Sequence, residues 1–331
     1  MNILITQPIG EVRRTFFTPE IVVEVEKLGT VIWNNTDRQF TKEELREKIK
    51  NIDVCLTGWG TIRFDEDVLQ NSNRLKIIAH TGGSVSTLIS EELYKKNIKV
   101  ISGNWVYAES VAEAVIAYSL CSLRDLVFYD NEIQAGRWHE EKYYNEGILD
   151  QNFGLVGFGA VAKYLVNMLK PFRAKIKVYD PYITESVFSE FGVEKASLEE
   201  IFMNSKVISV HAANTTETYH LIDKRLLSRI SDGALLVNTA RGSVIDEQAL
   251  SEELRTGRFK AILDVYEVEP LPMDSKLRGL KNVVLIPHMG GPTIDRRKQV
   301  TLELIKDIKN FFEKGTLKYE INKEYAFKMT K

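Results

Sequence analysis

Three polar clusters in the second half of the chain each follow an apolar run. Arg241 comes after ALLVNTA, Asp264 and Glu269 come after FKAIL within DVYEVEP, and His288 comes after NVVLIP and just before Met289-Gly290-Gly291-Pro292. Such a set can interconvert a carbonyl and a hydroxyl. A guanidinium grips a carboxylate bidentately and polarises the adjacent oxo group, and an imidazole of near-neutral pKa moves the hydroxyl proton. A carboxylate on the far ring nitrogen fixes the tautomer and raises that pKa. Singly, each residue has a plain structural reading: a surface arginine, an exposed loop acid before Pro270, a histidine that ends a strand. Their recurrence after successive strands favours the chemical one, because open parallel sheets bind ligands outside the carboxyl ends of their strands.

Another strand end carries GLVGFGAVA (154–162), with G-x-G-x-x-A at Gly157, Gly159 and Ala162. The first glycine permits a tight turn, the second lets backbone approach a pyrophosphate, and the small third residue lets helix and strand pack closely. The spacing places Gly157, Phe158, Gly159, Ala160 and Val161 around that anion, at the positive end of a helix. Asp180 ends KIKVYD, 21 residues after Gly159, where its carboxylate can bind an adenosine ribose. PYITES, which follows, holds no basic residue for a 2′-phosphate, so the cofactor predicted is NAD. The plain alternative is an ordinary glycine turn followed by a solvated aspartate.

Positioning these residues requires an α/β chain. In the first hundred residues the candidate strands are 2–6, 31–33, 53–56, 76–79 and 98–102, with amphipathic stretches between them. One of these, Thr41–Lys50, opens with Thr41 and Glu44 at capping-box spacing. A single long helix is expected from Tyr107 to Arg137. A second alternating series then supplies strands at 153–156, 175–180, 206–210, 234–239, 259–265 and 282–287, followed by a glycine break and a last helix over Ile294–Phe312. The long helix and the glycine break bracket an inserted domain, 105–290. Residues 1–104 and 291–331 form a second, discontinuous one.

Composition excludes other classes. Of 331 residues 44% are hydrophobic and 27% charged, and the net charge of -2 provides no polybasic stripe for nucleic acid. Cys55 and Cys121 lie far apart in apolar patterns and are expected as free thiols, consistent with a cytoplasmic protein. No uncharged run long enough to span a bilayer is apparent. His80, His211 and His220 lack metal-ligand spacing, so no catalytic metal is expected.

With these motifs in place, the chain resembles the D-isomer-specific 2-hydroxyacid dehydrogenases, the family of phosphoglycerate, D-lactate and hydroxypyruvate/glyoxylate dehydrogenases. GLVGFGAVA, VYDPY, LLVNTARGSVIDEQAL, DVYEVEP and IPHMGG occur in the family's order. The resemblance implies two Rossmann-like, doubly wound parallel-sheet domains with an interdomain cleft, the first flavodoxin-like and substrate-binding. It implies that Arg241 binds and polarises a small 2-oxo acid, that His288 donates the proton in reduction, and that Glu269 partners His288. Asp264 would hold the nicotinamide carboxamide, with backbone near Thr239 and Ala240 helping, and Val210, His211, His288 and Gly290 would line the cofactor groove. Ala213 and Asn214 stand where the family usually has proline and leucine.

Thr81-Gly82-Gly83-Ser84 matches the loop that holds the substrate carboxylate by backbone N–H groups, although the family's following aspartate is absent. Its plain reading is a glycine turn. The long helix around 107–137 would mediate a homodimer, and Trp138 and His139 could cap a neighbour's cleft, though a surface aromatic and a solvated histidine explain them as well. Two rivals share the scaffold. A formate- or phosphite-oxidising enzyme is disfavoured by Glu269, and an NAD-sensing, corepressor-like binding protein is disfavoured by the lack of an extra partner-binding segment. The acid itself is not legible, and no surface lysine can be placed beside the substrate.

Overall fold

The computed structural model describes residues 1–138 and 145–329, so His139 lies outside the described residues. Twelve strands are described: β1 (Asn2–Ile5), β2 (Thr30–Trp33), β3 (Val54–Thr57), β4 (Ile77–His80), β5 (Lys99–Ser102), β6 (Asn152–Val156), β7 (Lys175–Tyr179), β8 (Glu194–Lys195), β9 (Val207–Val210), β10 (Leu235–Asn238), β11 (Lys260–Leu263) and β12 (Val283–Leu285). They form two parallel sheets, one of order β2-β1-β3-β4-β5 and one of order β12-β11-β10-β9-β6-β7-β8. The chain divides into two compact units, Met1–Tyr107 with Pro292–Lys331, and Ala108–Gly291. The first division falls inside a helix, three residues later than the sequence reading placed it.

The central strands of each sheet are covered on both faces and mostly apolar, while their side chains still alternate; the edge strands β2 and β8 are partly or wholly exposed. In β1, Leu4 enters one core cluster with Cys55 and Ile78, while Ile3 and Ile5 enter the opposite one with Phe16 and Leu304. In β10, Leu236 packs with Ile208 and Phe259, and Leu235 and Val237 pack with Phe153 and Val207. Each fully buried aliphatic side chain of this kind stabilises the fold by about 1.5–3 kcal/mol. The capping box on the helix Lys42–Lys48 is formed: Thr41 accepts from the Glu44 N–H and Glu44 from the Thr41 N–H.

One expectation is corrected. The long helix is broken into Asn104–Leu123 and Leu126–Gln134, with Asp125 between them in the left-handed region at φ 53. The Lys260 ammonium of β11 binds the Asp125 carboxylate, a tertiary contact that holds the break. The helix Asn104–Leu123 is also long and apolar enough, by length and composition, to cross a membrane despite carrying Glu109 and Glu113. A core helix of a globular protein passes the same test.

His80, at the end of β4, is buried, and its Nδ1 lies 2.9 Å from Thr57 Oγ1. Burial lowers its pKa to about 4, and that of His211 likewise to about 4. As pH falls below the ordinary value near 6.5, the unfolded chain takes up these protons before the folded one does. Stability is therefore expected to drop between pH 6.5 and about 4, by about 3 kcal/mol for His80. Urea melts at pH 7 and pH 5 should show the loss, and His80→Gln should reduce it to the share due to His211; an unchanged loss in that variant would show that His80 does not titrate this way.

Candidate active site

The seven-stranded sheet presents its site residues along one edge, the carboxyl ends of its parallel strands. The order reverses between β9 and β6, opening a crevice there. The β6 turn and the β9 loop meet at that point. Gly157 has φ +94, and a Cβ on it would lie 2.8 Å from Ala212 N and 2.9 Å from the His211 carbonyl carbon, so glycine is required on both counts. A Cβ on Gly159 would meet no protein atom within 4 Å, and Ala162 is fully buried against the sheet. Gly159 is the N-cap of the ten-residue helix Ala160–Leu169, and no side-chain cap bonds that end.

Asp180, after β7, accepts from the Phe158 N–H through Oδ2 at 2.8 Å and from the Tyr182 N–H through Oδ1 at 2.9 Å. The carboxylate is thereby tied to the glycine turn and oriented. Across the crevice, His211 Nε2 and Thr239 Oγ1 are buried polar atoms without hydrogen-bond partners among the described residues. Burial keeps the His211 imidazole neutral. Unpaired polar atoms beside a glycine turn fit a ligand that brings its own donors and acceptors, as a dinucleotide does.

The next three strand ends hold the polar clusters. After β10, Asn238 Oδ1 accepts from the Ala240 N–H and its Nδ2 donates to Arg241 O, both at 3.0 Å, which fixes the turn carrying the arginine. The Arg241 side chain is half-buried, with Nη1 donating to Ala240 O at 2.7 Å. Burial lowers its pKa, and the charge of Glu269 opposes that shift. Beyond β11, Glu269 accepts from the Tyr266 N–H at 3.1 Å through Oε1, while Oε2 lies 2.7 Å from His288 Nδ1. The imidazole and its carboxylate are thus paired, with Nε2 as the remaining ring nitrogen. His288 stands beyond β12 at φ 54, a conformation that costs a non-glycine residue energy unless its surroundings enforce it.

Asp264 enforces it. Its oxygens accept from the Met289 N–H at 2.6 Å and the Gly290 N–H at 2.8 Å, and the residue is only 2% exposed. Burial raises its pKa; those two hydrogen bonds and the nearby His288 oppose the rise. Its hydrogen bonds in this structure therefore clamp the His288 loop; contact with a carboxamide was the role implied by resemblance.

Several residues escaped sequence reasoning. A Cβ on Gly242 would fall 1.8 Å from the Tyr266 carbonyl carbon, so the Arg241 turn is pressed directly onto the Glu269 loop. The Tyr266 hydroxyl lies 3.0 Å from Leu263 O and 2.9 Å from Ile286 O, joining β11 to the approach to His288. His220 pairs with Glu267 at 2.5 Å, and Glu267 and Glu247 accept from each other's backbone N–H groups. Only the motif's repeated glutamate hinted at this second histidine–carboxylate pair. Thr81–Ser84 follow β4 in the other unit, where Thr81 donates its hydroxyl to Thr57 O at 3.0 Å.

A model of the D-isomer specific 2-hydroxyacid dehydrogenase NAD-binding domain matches residues 116–290. The hydroxypyruvate reductase of Thermotoga maritima is 34% identical over 277 residues, 82% of this chain and 89% of that one. The chain belongs to the D-isomer specific 2-hydroxyacid dehydrogenase family. It is an oxidoreductase that uses NAD and acts on 2-hydroxy or 2-oxo acids. A glyoxylate reductase of Thermococcus litoralis is 33% identical over 82% of this chain and 84% of its own length. A D-3-phosphoglycerate dehydrogenase of Methanocaldococcus jannaschii is 31% identical over 93% of this chain but only 57% of its own. Among solved 2-hydroxyacid dehydrogenase structures, D-2-hydroxyisocaproate dehydrogenase superposes with a TM-score of 0.81 over 97% of this chain and 99% of that one; at 21% identity this similarity speaks for the fold alone.

Proposed function

We propose that this dehydrogenase reduces a small 2-oxo acid to the D-2-hydroxy acid, or runs the reverse, with His288 as proton donor and Arg241 as the group that binds and polarises the substrate. The observation that carries the reading is the His288–Glu269 pair beside Arg241 on one sheet edge. Glu269 on Nδ1 fixes the orientation of the ring and leaves Nε2 as the nitrogen that donates to the nascent hydroxyl. Arg241 holds the carboxylate and withdraws charge from the oxo group, the charge of Glu269 helping to keep its guanidinium protonated. When bound, NADH supplies the hydride.

Gly157, Phe158, Gly159, Ala160 and Val161 take the pyrophosphate, and Asp180 the adenosine ribose. Val210, His211, Thr239, Ala240, Asp264, His288 and Gly290 line the nicotinamide side. In the other unit, backbone N–H groups of Gly82, Gly83 and Ser84 receive the substrate carboxylate, while the Thr81 N–H is bonded to Thr57 O at 2.9 Å and anchors the start of the loop; this makes Met1–Tyr107 with Pro292–Lys331 the substrate-binding unit and Ala108–Gly291 the NAD-binding one. A homodimer is supported by the helix Leu126–Gln134, which buries none of its residues and exposes Leu126, Val127, Phe128 and Ile133. Free Cys55 and Cys121 support a cytoplasmic setting.

The test is NADH consumption with glyoxylate, hydroxypyruvate, pyruvate and phosphohydroxypyruvate. Turnover of at least one is expected, with NADH preferred over NADPH because Asp180 would repel a 2′-phosphate. NADH binding without turnover across the panel would point instead to an NAD sensor.

A further inference from the structure

The carboxyl edge of the five-stranded sheet holds a cation that its catalytic reading does not use. Arg297, in the first turn of the helix Ile294–Lys314, lies over two rings, 5.5 Å from the centroid of Trp59 and 5.7 Å from that of Phe16. Its Nε donates to Pro292 O and its Nη1 to Thr15 Oγ1, both at 3.3 Å. It pairs with no carboxylate among the described residues, whereas its neighbour Lys298 is paired with Glu20. The two rings meet edge-on at 84°, and the guanidinium packs against both while its Nη2 makes no hydrogen bond among the described residues, leaving that nitrogen to bind a planar or tetrahedral anion.

The surroundings tie this cation to the Thr81–Ser84 loop. Trp59, half-exposed after β3, meets the Tyr107 ring edge-on at 6.3 Å. Tyr107 in turn packs on Gly83, where a Cβ would lie 3.5 Å from Cδ1 of the ring. The Tyr107 hydroxyl is buried and has no hydrogen-bond partner among the described residues. Burial pushes its pKa up and the positive charge of Arg297 pulls it back, which places the two groups within electrostatic reach. The loop end is rigid: Gln7 Nε2 donates to Thr81 Oγ1 at 2.5 Å. A strip therefore runs from the glycine loop across Tyr107 and Trp59 to an unpaired guanidinium.

We propose that Arg297 and Tyr107 form a subsite for a second anionic group on the substrate, so that this enzyme prefers 2-oxo acids bearing a carboxylate or phosphate at the end remote from the 2-oxo acid group. The proposal rests on the reading that the Thr81–Ser84 loop holds the first carboxylate. An apolar tail would leave the Arg297 charge and the Tyr107 hydroxyl unanswered, while an anionic tail supplies acceptors to both.

Matched substrates test it on the intact protein with NADH: 2-oxoglutarate against 2-oxopentanoate, and phosphohydroxypyruvate against hydroxypyruvate. In at least one pair kcat/KM is expected to favour the anionic member by about 10- to 100-fold, the factor that one charge-assisted hydrogen bond supplies. Whichever pair shows it separates a carboxylate from a phosphate ligand. Arg297→Met should collapse that ratio, Arg297→Lys should restore part of it, and Tyr107→Phe should reduce it, with thermal melts and NADH titrations showing which variants remain folded. A wild-type preference for the neutral member of both pairs would overturn the subsite, as would folded Arg297 variants that lower both members of a pair equally. Should Arg297→Met not fold, the wild-type ratios and Tyr107→Phe decide. Reduction of none of the four acids would overturn the underlying dehydrogenase reading, an outcome distinct from reduction of the neutral acids alone.

Discussion

Glutamine in place of His288 is expected to slow 2-oxo acid reduction by about 10²–10⁴-fold, the usual contribution of a general acid, while NADH still binds. An amide can keep a hydrogen bond to Glu269 but cannot store a proton near neutral pH. Because His288 sits at φ 54, part of any loss could arise from backbone strain. Asparagine, which tolerates that region better than most residues, separates the two causes. His288→Asn should be as inactive as His288→Gln; recovered activity would assign the loss to strain, and an undiminished rate in both would remove His288 from the mechanism. Glu269→Gln tests the pairing itself: without the carboxylate on Nδ1 the ring is no longer held in place, and kcat is expected to fall while NADH still binds.

Gly242→Ala is the second large effect. Its Cβ would lie 1.8 Å from the Tyr266 carbonyl carbon and 2.2 Å from its oxygen, both backbone atoms that no rotamer change can move. The turn carrying Arg241 and the loop carrying Glu269 must then separate. Overpacking of this kind costs about 3 kcal/mol, equivalent to a melting temperature lower by about 6–12 °C for a domain of this size. If Arg241 grips the substrate as proposed, displacing it by about 1 Å costs about 10²-fold in rate. The expected result is thus a folded but less stable enzyme with kcat/KM down about 100-fold. A variant with unchanged melting temperature and activity would show that the two loops are not held together as the geometry indicates.

Sequence reading succeeded where the signal is local. Short β-branched runs such as KVISV and ALLVNT became β9 and β10 because a strand buried on both faces needs only an apolar run bounded by turns. The glycine turn, Asp180 and the three polar clusters were legible for the same reason, each lying within a few residues of a strand's end. The helix expected over Tyr107–Arg137 was misjudged because its break at Asp125 is held by Lys260, well over a hundred residues away. Gly242 read as the small residue after an arginine, and nothing near it announced Tyr266 as its neighbour. Arg297 read as one of many charges on an amphipathic helix, and only packing set it against Phe16 and Trp59.

The amino-acid sequence by itself determined the α/β class, the parallel strands, the glycine turn after β6 and the polar residues that stand at the carboxyl ends of β10, β11 and β12. These follow from hydrophobic period, glycine chemistry and the rule that loops at the carboxyl ends of parallel strands share one edge. The tertiary structure decided the strand order, the bonding of His288 to Glu269, the clamp that Asp264 places on the His288 loop, and the packing of Arg297 against Phe16 and Trp59. Each depends on contacts between segments far apart in the chain. Whether a carboxylate clamps a loop or faces a ligand, and whether a cation is paired or left open, is settled by what packs around it rather than by its neighbours in sequence.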